Sequence, residues 1–232
     1  MDAIKRTLPS LSGKEKKIGL LYLIFQYTLL PVLLQLVGQV FSLGENDALY
    51  NFLYFSLNFL GVLLIFGTFL KKSLFRVKRT YRDILITAAI GFGVFWLCST
   101  LLHAMTGLLF PEFINLNDRS LVNILGDYPV LLFLGTVVLA PVAEEVLHRG
   151  LIFGWLNEKN RWLAYGVSAL VFAAIHVVQY IGLYSPLYLA VAFVQYLPAG
   201  IVLAWSYQRS GCIFTPIVIH AANNLLAVLS VR

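Results

Sequence analysis

Acidic side chains are scarce in this sequence: 232 residues contain eleven Asp and Glu, and only 12% of positions are charged. A soluble globular chain carries roughly a quarter, so the deficit excludes an ordinary water-facing surface over most of the chain. Cysteine is rarer still. Cys98 and Cys212 have no CxxC spacing and are too few for a disulfide framework; both read as small buried hydrophobes. No internal repeat and no low-complexity tract occur, and no soluble domain of useful size is expected at either end. No small-residue cleavage site follows the first apolar core, so the first hydrophobic run reads as a retained helix rather than a signal peptide.

What the chain has in abundance is apolar length. It is 59% hydrophobic with a mean hydropathy of +0.82, and a spanning helix needs about 20 apolar residues. Seven segments qualify: Ile18–Leu43, Ala48–Leu70, Ile84–Phe110, Tyr128–Leu156, Trp162–Val178, Pro186–Tyr207 and Ile213–Val231. The expected fold class is therefore all-α, a polytopic transmembrane bundle of about seven spans (six to eight). Pro31 and Pro198 predict kinks in the first and sixth spans. Pro141, just before a charged turn in the long fourth span, predicts a kink that turns that stretch inward.

The net charge of +6 could suggest a nucleic-acid partner, but its distribution argues for membrane topology, and no nucleic-acid partner is expected. Lys5, Arg6, Lys14, Lys16 and Lys17 precede the first span. Lys71, Lys72, Arg76, Lys78, Arg79 and Arg82 fall in a predicted 71–83 loop, and Lys159, Arg161 and Arg209 fall in two later loops on the same side. Arg119 and Arg232 lie on the opposite side, as does the 111–127 connection with Glu112, Asp118 and Asp127. The positive-inside rule then predicts a cytoplasmic N-terminus. The basic loop could also bind anionic headgroups, although a topology determinant is the simpler reading. Trp155, Trp162 and Trp205 near span ends read as interfacial anchors.

Against this background Glu144 and Glu145 stand out, followed within one turn by His148 and Arg149. A charge near a bilayer centre costs at least ~3 kcal/mol on insertion scales and marks a functional site with a partner. Positions i and i+4 share a helix face, so Glu145 can pair with Arg149 and Glu144 with His148. The pairing with Arg149 would keep one carboxylate ionised and leave Glu144 free to face another helix. Two other spans contribute Phe172-Ala-Ala-Ile-His176 and His220-Ala-Ala-Asn-Asn224, whose His220 and Asn224 share a face. At ~1.5 Å per residue, Glu144, His176 and His220 lie about 18, 21 and 11 Å from the basic ends of their spans, compatible with one cluster.

Two chemistries fit. A carboxylate and an imidazole can hold a water and take its proton as it attacks a carbonyl, while an imidazole and an amide stabilise the oxyanion. Alternatively, Glu144, His176 and His220 could ligate zinc with an open water position. His148 is expected to support Glu144, Phe172 to shape the pocket, and His103 to make an incidental polar contact.

Glu-Glu-x-x-x-Arg, Phe-x-x-x-His and His-x-x-x-Asn, in that order on successive apolar segments from about Leu139 to Leu225, resemble the CPBP family. These are the type II CAAX prenyl and bacteriocin-processing (Abi) intramembrane proteases. The resemblance implies that Glu144 activates water with His176, that His220 and Asn224 form the oxyanion site, and that Glu145 and Arg149 complete the first motif with Arg149 balancing charge. It implies residues 1–127 as N-terminal spans and 128–232 as the catalytic core of one integral domain, in a bacterial cell membrane. The metal stays open, since the family is described both as metalloproteases and as metal-free glutamate enzymes. The expected partners are the bilayer and a peptide or membrane-protein substrate, lipidated or carrying a leader. The chain is too short for elaborations that would identify a prenylated substrate. The competing readings are a non-catalytic scaffold or immunity protein and a proton-coupled transporter; the latter lacks the paired, interrupted segments of inverted repeats.

Overall fold

The computed structural model describes residues 8–40, 47–116 and 128–230. Lys5, Arg6, Asp118, Arg119, Asp127 and Arg232, and the expectations that rest on them, lie outside the described residues. Helices account for the architecture: α1 Gly13–Val40, α2 Asp47–Lys78, α3 Thr80–Leu109, α4 Pro129–Asn157, α5 Arg161–Tyr180, α6 Pro186–Ser210 and α7 Phe214–Ser230. The first six are long and apolar enough to cross a membrane, and α7 is a shorter apolar helix. Among the described residues no strand is formed.

Large hydrophobic side chains point outward along the bundle, as a lipid solvent requires. Leu21, Leu64 and Leu108 are exposed, and in water such a surface would drive association. The inverse holds for α4. Some 56% of its most apolar stretch is buried, against 17–39% for the other five long helices, which makes it the central helix. Val146, Leu147, Leu151 and Phe153 of α4 pack with Val62, Phe66 and Phe69 of α2 and Tyr207 of α6. A second cluster joins Phe95 of α3, Phe172 of α5, Leu203 of α6 and Ile219 of α7.

The predicted 71–83 loop is helical. The segment from Asp47 to Leu109 stays helical except at Phe66 (φ −107°, ψ 19°) and Thr80 (φ −127°, ψ 18°). Lysine and arginine are good helix formers, and residues 68–90 contain neither glycine nor proline, so nothing unwinds the chain before it turns at Thr80. Pro31 and Pro198 likewise sit inside continuous helices.

The break at Phe66 has a partner in α1. Ser12 and Glu15 cap α1 reciprocally: Ser12 N–H donates to Glu15 Oε2 (2.7 Å) and Glu15 N–H donates to Ser12 Oγ (3.2 Å). The other carboxylate oxygen, Glu15 Oε1, accepts the Phe69 N–H at 3.0 Å, a donor sitting one turn past the break. Glu15→Ala is expected to destabilise the fold by about 1–3 kcal/mol, because a buried N–H loses its acceptor. A lowered midpoint in denaturant titration from mixed micelles would register this, and an unchanged midpoint would count against the assignment.

The basic segments gather at one end. Lys16 Nζ meets Glu158 Oε2 at 2.6 Å, Lys72 Nζ donates to the Ser10 carbonyl at 3.4 Å, and Arg76 Nη1 donates to the Gly211 carbonyl at 3.2 Å. Cys212, in the α6–α7 turn, is fully buried with its thiol 3.7 Å from the Ser73 carbonyl, and burial raises its pKa above the usual thiol range. All three tryptophans read as anchors carry a cation: Lys16 lies 5.9 Å from the Trp155 ring, Arg161 5.6 Å from Trp162 and Arg209 5.6 Å from Trp205.

Candidate functional site

The site is built on irregular turns of α4. Pro141 has no N–H to donate and crowds the preceding turn; the helix answers with a wide π-turn stretch, Phe133–Leu139, in which Ala140 N–H reaches back to the Gly135 carbonyl. The next carbonyl, Thr136, would pair in that register with residue 141, the proline. Asn224 of α7 supplies the missing donor, with Nδ2 at 2.9 Å from Thr136 O. A second π-turn stretch, Val146–Phe153, follows the glutamates and carries His148 and Arg149. Such bulges concentrate at functional sites.

Glu145 and Arg149 form the expected ion pair, Nη1 to Oε1 at 2.9 Å, with both side chains wholly buried. Arg149 Nη2 also donates to the carbonyls of Gly200 (3.2 Å) and Ala199 (3.4 Å) on α6. Its guanidinium lies over the Phe172 ring at 4.3 Å. This pairing permits a charge in an apolar interior, where an unpaired one is prohibitive. Helix α6 can come this close to α5 because residue 200 is glycine: a Cβ there would sit 2.7 Å from Ala169 Cα.

His220 of α7 completes the knot. Its Nδ1 lies 2.8 Å from Glu145 Oε1; a carboxylate already paired with Arg149 accepts, so Nδ1 carries the proton and Nε2 faces away. That Nε2 lies 4.0 Å from Glu144 Oε2, too long for a direct hydrogen bond. Glu144 differs from its neighbour in exposure: its side chain keeps 20% of its surface, against none for Glu145, while the Oε2 atom of each is buried without a hydrogen-bond partner among the described residues. One acid is sealed and the other keeps part of its side chain exposed.

His176 is held separately. Its Nδ1 lies 2.7 Å from the Phe172 carbonyl, which can only accept, so Nε2 is left with its lone pair. The ring stacks on Tyr196 of α6 at 4.4 Å. Phe172 is the hub: its centroid is 4.5 Å from His176, 5.6 Å from His148 and 5.9 Å from His220. Among the described residues no ion pair or hydrogen bond joins Glu144 to His176, the pairing expected from the resemblance.

One expectation changes. His148 does not support Glu144; its Nε2 lies 3.2 Å from the Tyr27 hydroxyl of α1, because the wide turn after Glu145 shifts the register of the side chains that follow. No group of three His, Cys, Asp or Glu placed to hold a metal occurs among the described residues. His103, as expected, turns onto its own helix, with Nδ1 2.8 Å from the Ser99 carbonyl. Tyr27, Thr136 and Tyr196 were not singled out by the sequence; aromatic residues in apolar spans carry no signal, and the Thr136 contribution is a carbonyl. Only the missing N–H of Pro141 could have pointed to it.

Residues 126–226 match the family described as "Type II CAAX prenyl endopeptidase Rce1-like". The chain is similar to the UPF0177 protein YbdI of Lactococcus lactis subsp. lactis (strain IL1403), at 29% identity over 40% of this chain and 45% of the relative. It is similar to the "Putative membrane peptidase YdiL" of Bacillus subtilis (strain 168), at 25% identity over 49% of this chain and 42% of the relative. The UPF0177 protein YxdF of the same Lactococcus strain is 27% identical over 50% of this chain and 59% of its own length. The chain thus spans about half the length of these relatives. No solved structure matches.

Proposed function

We propose, from the premise that this chain is a multi-pass membrane protein of the CPBP family, that it is an intramembrane endopeptidase whose water is activated by Glu144. One observation carries the reading: the buried Oε2 of Glu144, without a hydrogen-bond partner among the described residues, faces the Nε2 of a fixed imidazole across 4.0 Å. That gap is the reach of one bridging water, a bridge nearly as good as a direct bond. Glu144 Oε2 and His220 Nε2 are both acceptors, so each takes one O–H of the water and the oxygen lone pairs face outward.

Attack of that oxygen on a peptide carbonyl passes one proton to Glu144 and leaves a tetrahedral oxyanion. Asn224 uses one amide hydrogen on Thr136, and its second is free to donate to the oxyanion. Collapse breaks the C–N bond as Glu144 returns the proton to the leaving nitrogen; the water has then added hydroxyl to carbon and hydrogen to nitrogen. Glu145 takes no proton in this scheme: with Arg149 it fixes the His220 ring. Water activation by Glu144 with His220 replaces the Glu144–His176 pairing, and His176, with Nε2 free beside Phe172, orients the substrate. The core 128–232 is the proposed catalytic unit, with a cytoplasmic N-terminus in a bacterial membrane, and the substrate class is a membrane-associated peptide with a leader or lipidated end.

The test is incubation of the purified, reconstituted chain with a peptide library, product identification by mass spectrometry, and a parallel arm with a strong chelator. Internal cleavage that persists in chelator and needs Glu144 is expected. Absence of cleavage with a folded protein would return the scaffold reading, and loss of cleavage in chelator restored by zinc would overturn metal-free activation.

A further inference from the structure

We infer that the outer face of α3, α5 and α6 is a binding site for one anionic phospholipid, separate from the acid–histidine cluster. A cavity of about 790 Å³ lies there, walled by Ile90 and Val94 of α3, Trp162 and Leu170 of α5, and Ile201 and Trp205 of α6. Ligand sites fall in the range of roughly 300–1,000 Å³. It opens toward lipid: Ile90, Trp162, Leu170 and Ile201 are all exposed. Ala169 lines it from within and packs on Gly200, whose carbonyl accepts from Arg149. The groove therefore backs onto the site without opening into it.

Shape and charge together select the occupant. From Arg161 to Leu170 the groove runs about 14 Å by helical rise, half of the ~30 Å hydrocarbon core and hence the depth of one leaflet. Arg161 lines its basic end beside Trp162, and Arg209 stands beside Trp205 on the facing wall. An arginine and a tryptophan at headgroup depth above an apolar slot fit a phosphate ester with an acyl chain below it. An extended peptide would need backbone hydrogen-bond partners that these apolar walls do not offer. Gly166 leaves room for the chain, since a Cβ there would meet nothing within 4 Å.

The experiment is native mass spectrometry of the full chain released from detergent and titrated with phosphatidylglycerol or phosphatidylcholine of identical acyl chains. One phosphatidylglycerol is expected to bind ahead of any phosphatidylcholine. Arg161→Gln is expected to weaken the phosphatidylglycerol adduct roughly fivefold, the effect of one interfacial cation, with phosphatidylcholine unchanged. Gly166→Trp fills the groove and should remove the first adduct of both lipids at unchanged helicity. Equal retention of the two lipids by the unaltered protein, or full phosphatidylglycerol binding by Gly166→Trp, would overturn the assignment. Should Gly166→Trp fail to fold, Arg161→Gln, altered only at an exposed side chain, decides the matter.

Discussion

Glu144→Gln is expected to leave the fold intact and to lower peptide cleavage by about 10²–10⁴-fold, the range of a positioned general base. The amide is nearly isosteric with the carboxylate. It still fills the position 4.0 Å from His220 Nε2, but it cannot take a proton from water. Since no described hydrogen bond to Glu144 Oε2 is lost, stability should hold. The loss should fall on kcat rather than KM, because the acid acts on the water and not on substrate affinity. Single-turnover cleavage in reconstituted membranes, with thermal unfolding of the same samples, checks both halves.

Arg149→Met is expected to do the reverse, acting first on the fold. It removes the ion pair to Glu145 and both donor contacts to the α6 carbonyls. Breaking a buried pair by deleting one partner typically costs about 3–5 kcal/mol, because the other charge is left uncompensated. Glu145 would then hold only His220 at 2.8 Å. Adding Glu145→Gln to Arg149→Met should recover much of that stability, since the orphaned charge disappears. A double-mutant cycle reads this as a coupling far from additive; purely additive losses would mean the two side chains act independently. Lysine should not substitute fully, as one ammonium cannot reach Glu145 and the α6 carbonyls with the same planar fork.

Much of this arrangement was legible in the sequence. The seven helices match the apolar runs closely, because length and hydropathy decide which segments cross a bilayer. The Glu145–Arg149 pair followed from i,i+4 spacing. The Glu144–His148 pair failed under the same rule, since the wide turn Val146–Phe153 changes the periodicity on which the rule depends. The anchoring of Asn224 on Thr136 depends on a donor that Pro141 lacks, which is visible in sequence only once the helix register is known. Tyr27 and Tyr196 were invisible for a simpler reason: with 14% aromatic residues, ring position within a span does not identify a partner. The 71–83 stretch reads as a loop in sequence because its charges resemble those of one, whereas its helix-forming residues continue α2 as far as the break at Thr80.

The central claim is a division of labour between adjacent acids, and the most direct test compares Glu144→Gln and Glu145→Gln under identical conditions. Cleavage of a fluorogenic peptide and the unfolding midpoint would be measured for each. The account predicts a stable but inactive protein for Glu144→Gln, and for Glu145→Gln a destabilised one in which the molecules still folded keep part of their activity. Substantial cleavage by a folded Glu144→Gln protein would contradict it, as would full stability of Glu145→Gln.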